Sequence, residues 1–167
     1  EASLTRVINV PARGIGKRTI DDLIAWAGSL SIPAYAALQL LAGDGTGEVV
    51  DGIETSPFSP RQRAQLVGFL TLINDLRECM PDMELPALID EVLERTGYRR
   101  SLLDSDEPDA EDRLDNLREF RGVSADWESI PSSESLQPFL ENAALVSEQD
   151  AIVEDEKQYL TLITLHQ

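Results

Sequence analysis

Apolar residues recur at helical spacing through most of the chain. "SLTRVINV" sets Leu4, Val7 and Ile8 on one face, and "TIDDLIAWA" repeats Ile20, Leu23, Ile24 and Ala27 before Gly28 ends the run. "SIPAYAALQLLAG" predicts a helix with Ser31 as N-cap, Pro33 in the first turn and Gly43 as the stop. A Ser59-Pro60 cap opens a long helix whose stripe is Leu66, Phe69, Leu70, Ile73 and Leu76. "ELPALIDEVLERTG" predicts a shorter helix ended by Gly97. "SDEPDAEDRLDNLREFRGVSADWES" predicts another long helix, with a stripe of Leu114, Leu117, Phe120, Val123 and Trp127. Acids fill its first turn, where the helix dipole favours them. "SLQPFLENAAL" predicts a short helix, and "SEQDAIVEDEKQ" an acidic connector that would act as a hinge. "GDGTGEVVDGIETSPF" is turn-rich and predicts an exposed loop.

Only the end of the chain changes period. "YLTLITLHQ" alternates apolar and β-branched residues and predicts a strand. One strand cannot make a sheet, so its partners are expected outside this segment. The pattern therefore predicts an all-α, bundle-like domain of about seven helices, roughly one per capped periodic segment. An N-terminal helix-hairpin-helix-like glycine turn and one orphan C-terminal β-strand complete it. The expected division is a helical domain over 1–157 and a strand of a neighbouring domain from 158 to 167.

The 167 residues allow one ordinary domain. No apolar run reaches membrane-spanning length, and no secretory signal opens the chain, so a soluble protein without a membrane partner is expected. The first residue is Glu1, which leads us to expect an excised or processed piece. Cys79 is the only cysteine, which excludes an internal disulfide and a cysteine-built zinc site. A lone thiol suits a reducing cytoplasm.

The formal net charge of −17 argues against a general nucleic-acid coat. The charge is uneven, however. Past Ser101 the only Lys or Arg residues are Arg113, Arg118, Arg121 and Lys157, whereas the first thirty residues hold Arg6, Arg13, Lys17 and Arg18 against Glu1, Asp21 and Asp22. An anion site is therefore expected near the N-terminus.

"PARGIGKRT" lies there. It is not a Walker P-loop, which needs G-x-x-x-x-G-K-[ST]: Pro11 stands where the first Gly belongs, and Arg18 where the Ser/Thr belongs. A Rossmann turn also fails, for want of a third glycine and a preceding strand. A clamp on a nucleic-acid backbone fits better. Gly14 and Gly16 can take positive φ and leave no side chain between backbone and ligand. Successive N–H groups then face outward where the next helix begins. Lys17 and Arg18 add charge, Thr19 adds a hydroxyl, and Ile15 would anchor the turn in the core. Such a clamp holds phosphates and reads no bases. On the turn alone, a plain helical hairpin with solvated cations stays equally open.

"RVINVPARGIGKRTIDDL" resembles the start of subdomain 2B in UvrD-like superfamily 1 DNA helicases. "EDRLDNLREFRGVSADWE" resembles that subdomain's late helix, and "LTLITLHQ" the strand that opens helicase motif V. These three anchors, in order, span nearly the whole chain. The resemblance implies a helical insertion in the second RecA-like domain that contacts the duplex backbone ahead of the fork and gates unwinding. It assigns backbone contact to Gly14, Ile15, Gly16, Lys17 and Thr19. Arg18, Arg13 and Arg6 are added here as flanking cations. It also implies a cytoplasmic, nucleoid-associated enzyme that hydrolyses ATP with Mg and moves 3′ to 5′. The partners it implies are duplex DNA and the remaining helicase domains. The segment itself lacks the ATPase motifs, so no cofactor, metal or catalytic residue is expected in it. Motif V is cut at Gln167, leaving Thr164 and His166 as its truncated remainder.

The other candidates read as structural. Asp109, Glu111, Asp112 and Asp115 form a solvated helix face rather than a metal site. Asp44 opens a loop without the other ligands of an EF-hand. Trp26, Trp127 and Phe69 sit on apolar stripes and read as core, and Cys79 as packing. The alternative function is an acidic interaction module for a repair, replication or transcription partner. It would need an exposed apolar patch rimmed by acids. The DNA role would need Lys17 and Arg18 to converge with Arg13 or Arg6.

Overall fold

The computed structural model describes residues 2–43 and 56–156, with side chains described to residue 144. The described chain is helical. Its α-helices are α1 (Ala2–Val7), α2 (Lys17–Ser29), α3 (Ala34–Ala42), α4 (Pro60–Cys79), α5 (Leu85–Arg95), α6 (Tyr98–Leu103), α7 (Ala110–Val123) and α8 (Ser132–Glu156). Two 3-10 turns, Met80–Asp82 and Ser124–Trp127, join α4 to α5 and extend α7. Among the described residues there is no sheet, only an isolated bridge between Glu84 and Pro131. The loop at 44–55 and the orphan strand, with Thr164 and His166, lie outside the described residues.

The N-terminal core is built by α2, α3 and α4 around the turn after α1. Ile8, Ile15, Leu23, Leu38, Leu66 and Leu70 are its largest fully enclosed members. Each such burial is worth about 1.5–3 kcal/mol. Trp26 meets Phe58 edge-on at 5.9 Å between ring centres. The second half packs α5 to α8 around Leu85, Leu88, Leu102 and Phe139. Ser132 ties its start to the α4–α5 junction, donating its N–H to the Met83 carbonyl at 2.9 Å and its hydroxyl to that of Met80.

Several sequence expectations need correction. Gly28 does not end α2, which runs to Ser29; the Leu30 N–H closes it on the Trp26 carbonyl at 3.2 Å. Ser31 is not an N-cap: it takes φ +56°, and α3 starts three residues later with Pro33 at the cap. Val7 does not share the buried face of Ile8, being half exposed. The long helix expected over 105–129 is shorter, since α7 begins only at Ala110 and tightens into a 3-10 turn after Val123. On its stripe Phe120 and Val123 are exposed. Helix α6 was not legible because six residues carry too few apolar repeats to register. The short helix and the acidic connector are one helix, α8, continuous through Pro138 to Glu156. Gly43 and the Ser59-Pro60 start are as expected: Gly43 closes α3 at φ +82°, and Ser59 forms a capping box with Gln62.

Candidate nucleic-acid interface

The glycine turn spans the gap between α1 and α2, and one side chain organises it. Asn9 Oδ1 accepts the backbone N–H of Arg13 at 2.7 Å and that of Ile15 at 3.1 Å. This double acceptor folds Val10–Gly14 into a loop and sends Ile15 fully into the core. Gly14 takes φ +76°, a left-handed conformation that side chains resist. It also lies tight against α4: a Cβ there would come within 2.3 Å of Gln65 Nε2. Gly16 differs. It is the N-cap of α2 at φ −72° and ψ 163°, and a Cβ there would meet nothing within 4 Å. Its glycine is thus not required by φ or by packing, and open space lies in front of it.

No side chain caps α2. The first N–H groups of a helix have no intrahelical acceptor and carry the positive end of the dipole. Here they begin beside Gly16, Lys17 and Arg18, all exposed. That is a place where a phosphate could lie against backbone donors flanked by two cations.

Thr19 and Arg13 are arranged otherwise. Thr19 is buried, and its hydroxyl accepts Gln62 Nε2 at 3.1 Å, so its side chain faces α4. Arg13 turns inward. Its Nη1 donates to the carbonyls of Val7 (3.2 Å) and Pro11 (3.1 Å), and its Nη2 to that of Thr96 at the end of α5 (3.3 Å). Its guanidinium lies 5.7 Å from the centre of the Phe69 ring. Burial lowers its pKa, yet an arginine so hydrogen-bonded stays charged. Arg13 thus closes the C-terminal carbonyls of α1 and joins the two halves of the molecule. The structure does not bring it to Lys17 and Arg18 as a free cation. Arg6 is exposed in the last turn of α1.

Asn9, Gln62 and Gln65 are the residues that sequence reasoning missed. Only the Ser59-x-x-Gln62 capping spacing signalled any of them. Elsewhere, among the described residues, no three His, Cys, Asp or Glu side chains gather as a metal site. Asp109 and Asp115 instead pair along α7 with Arg113 and Arg118. Cys79 is half-buried, its thiol donating to the Leu76 carbonyl at 3.3 Å. No single described helix is long and apolar enough to cross a membrane.

The fold and the turn define a helical segment with an uncapped helix start flanked by two exposed cations. The chain matches part of ATP-dependent DNA helicases of the UvrD/PcrA type. It is 32% identical to ATP-dependent DNA helicase UvrD1 of Mycobacterium leprae over 98% of its length. It is 33% identical to UvrD1 of Mycobacterium tuberculosis over 98%, and 28% identical to PcrA of Bacillus subtilis over 99%. In each case it spans only 22% of the relative. No family model matches.

Proposed function

We propose that this chain is subdomain 2B of a UvrD/PcrA-type DNA helicase, and that the start of α2 grips the backbone of duplex DNA ahead of the fork. The carrying observation is the uncapped first turn of α2 behind an unobstructed Gly16, with Lys17 and Arg18 exposed beside it. In this reading Gly14 and Ile15 shape the turn, and Gly16, Lys17, Arg18 and the Thr19 N–H face phosphate. Arg13 supports the turn from inside. The contact is independent of base sequence, because a backbone cradle holds phosphates alone.

ATP and Mg would bind the remaining domains of the intact helicase, a cytoplasmic, nucleoid-associated enzyme moving 3′ to 5′. The residues here do not fit a nucleotide site, since Pro11 and Arg18 break the P-loop pattern and α1 stands where a strand would be needed. The segment over 1–157 would act as the lever that gates unwinding, and 158–167 would re-enter the motor domain.

Amide hydrogen exchange on the full-length helicase tests the contact. A tailed duplex should slow exchange at Lys17, Arg18 and Thr19. Unchanged exchange there at saturating duplex would exclude the contact.

A second reading, docking of a protein partner, has its own observation. Leu88, Val92, Leu117, Phe120, Phe139 and Leu140 line a wholly apolar groove of about 230 Å³ between α5, α7 and α8. Its Val92, Phe120 and Leu140 are more than a third exposed. The two surfaces lie on different elements, so Leu140→Glu should impair partner docking and leave duplex binding intact.

A further inference from the structure

The cations of this molecule fall into two groups. Arg95, Arg99, Arg100, Arg113, Arg118 and Arg121 each pair with a carboxylate. Among the described residues Arg6, Lys17, Arg18, Arg61, Arg63 and Arg77 are exposed and have no such partner, and of these Arg61 shares a helix stripe with the residue of α4 that packs on the glycine turn. Arg61 stands in the first turn of α4, distant in sequence from the glycine turn but not in space. Its neighbour Gln62 donates to the Thr19 hydroxyl at 3.1 Å, and Gln65 packs against Gly14. Arg61 precedes Gln65 by four residues, so the two share one stripe of the helix. It therefore flanks the contact that α4 makes with the turn, one helical turn nearer the start.

The start of α4 is not itself an anion cradle. Gln62 Oε1 accepts the Ser59 N–H at 2.9 Å and its hydroxyl at 2.8 Å, and Ser59 Oγ accepts the Gln62 N–H at 3.3 Å. With that end capped, the free charge at this edge is the guanidinium. Gln62 serves both purposes: its oxygen closes the α4 cap while its nitrogen holds α2.

We propose that Arg61 is a further phosphate-contacting residue, making the DNA surface a two-helix clamp in which α4 supplies a second cationic arm beside Lys17 and Arg18. This rests on the reading of the glycine turn given above. Arg63 lies on the opposite flank of Gln62, roughly 160° around the helix from Gln65 at 3.6 residues per turn. It is exposed as well and provides a control of equal charge.

The test uses the full-length helicase, with fluorescence anisotropy on a blunt DNA duplex across a salt series. Four forms are compared: wild type, Arg61→Gln, Arg63→Gln and Lys17→Gln/Arg18→Gln. Melting curves matched to wild type establish that each is folded. Arg61→Gln should weaken duplex binding and lower the slope of log K against log salt by about 0.9, as for one lost phosphate contact. Arg63→Gln should keep the wild-type slope. Equal losses from Arg61→Gln and Arg63→Gln would reduce the effect to diffuse charge and overturn the proposal. A normal slope for Arg61→Gln beside a reduced one for Lys17→Gln/Arg18→Gln would overturn it too, while leaving the glycine turn standing. Normal slopes in all three variants would remove both.

Discussion

Gly14 and Gly16 look alike in the sequence and do different work. Gly14 is held at φ +76° with Gln65 against it, so its lack of a side chain is a folding requirement. Gly14→Ala should destabilise by about 1–2 kcal/mol, from left-handed strain and the displaced glutamine. Gly16 has ordinary dihedrals and open space, so Gly16→Ala should cost under about 1 kcal/mol. If clearance for a phosphate is its purpose, duplex affinity should fall in Gly16→Ala while the melting temperature barely moves. Asn9 is the hidden support. Asn9→Ala removes the acceptor of two turn N–H groups and should cost about 1–3 kcal/mol in urea denaturation. A cost near zero would mean that the turn holds its shape without it.

At the scale of elements, α4 is the platform on which the turn rests. Gln62→Ala loses its cap and its hold on Thr19 together, so it should cost about 1–2 kcal/mol, more than an exposed helix position would. In the second half, Asp90 links α5 to α6 and α7 through Arg99 (2.9 Å) and Arg121 (3.1 Å). Burial raises its pKa, but the hydrogen bonds and charges of the two arginines outweigh that and hold the carboxyl below its usual range. A lowered carboxyl pKa contributes stability that is present above the unfolded value and lost as pH falls through the folded one. Asp90→Asn should therefore flatten the acid side of the stability profile, and an unchanged profile would show that the link is slack. These features explain what the pattern could reveal. Capped helices with full stripes, such as α4, were legible from Ser59-Pro60 and Leu66 onward. Ser31, Val7 and α6 were not, because tertiary packing and short length decide them. The turn's position was legible from its glycines. The inward course of Arg13 was not, since its partners are backbone carbonyls that no residue pattern encodes.

For the whole molecule, charge distribution is the organising fact. A net charge of −17 repels DNA, so any approach must be local. Salt bridges occupy the arginines of the second half, while Lys17 and Arg18 stand unpaired among the described residues at the start of α2. The chain spans 22% of UvrD1 and PcrA, and in the function proposed above it meets DNA at one edge and leaves ATP to other domains. The most direct measurement is the salt dependence of duplex binding by the full-length helicase, wild type against Gly16→Ala/Lys17→Gln/Arg18→Gln, with both proteins shown to melt alike. We predict a slope of log K against log salt that is shallower by up to about 1.8 in the variant, the signature of two lost phosphate contacts. Identical slopes and affinities would contradict the account.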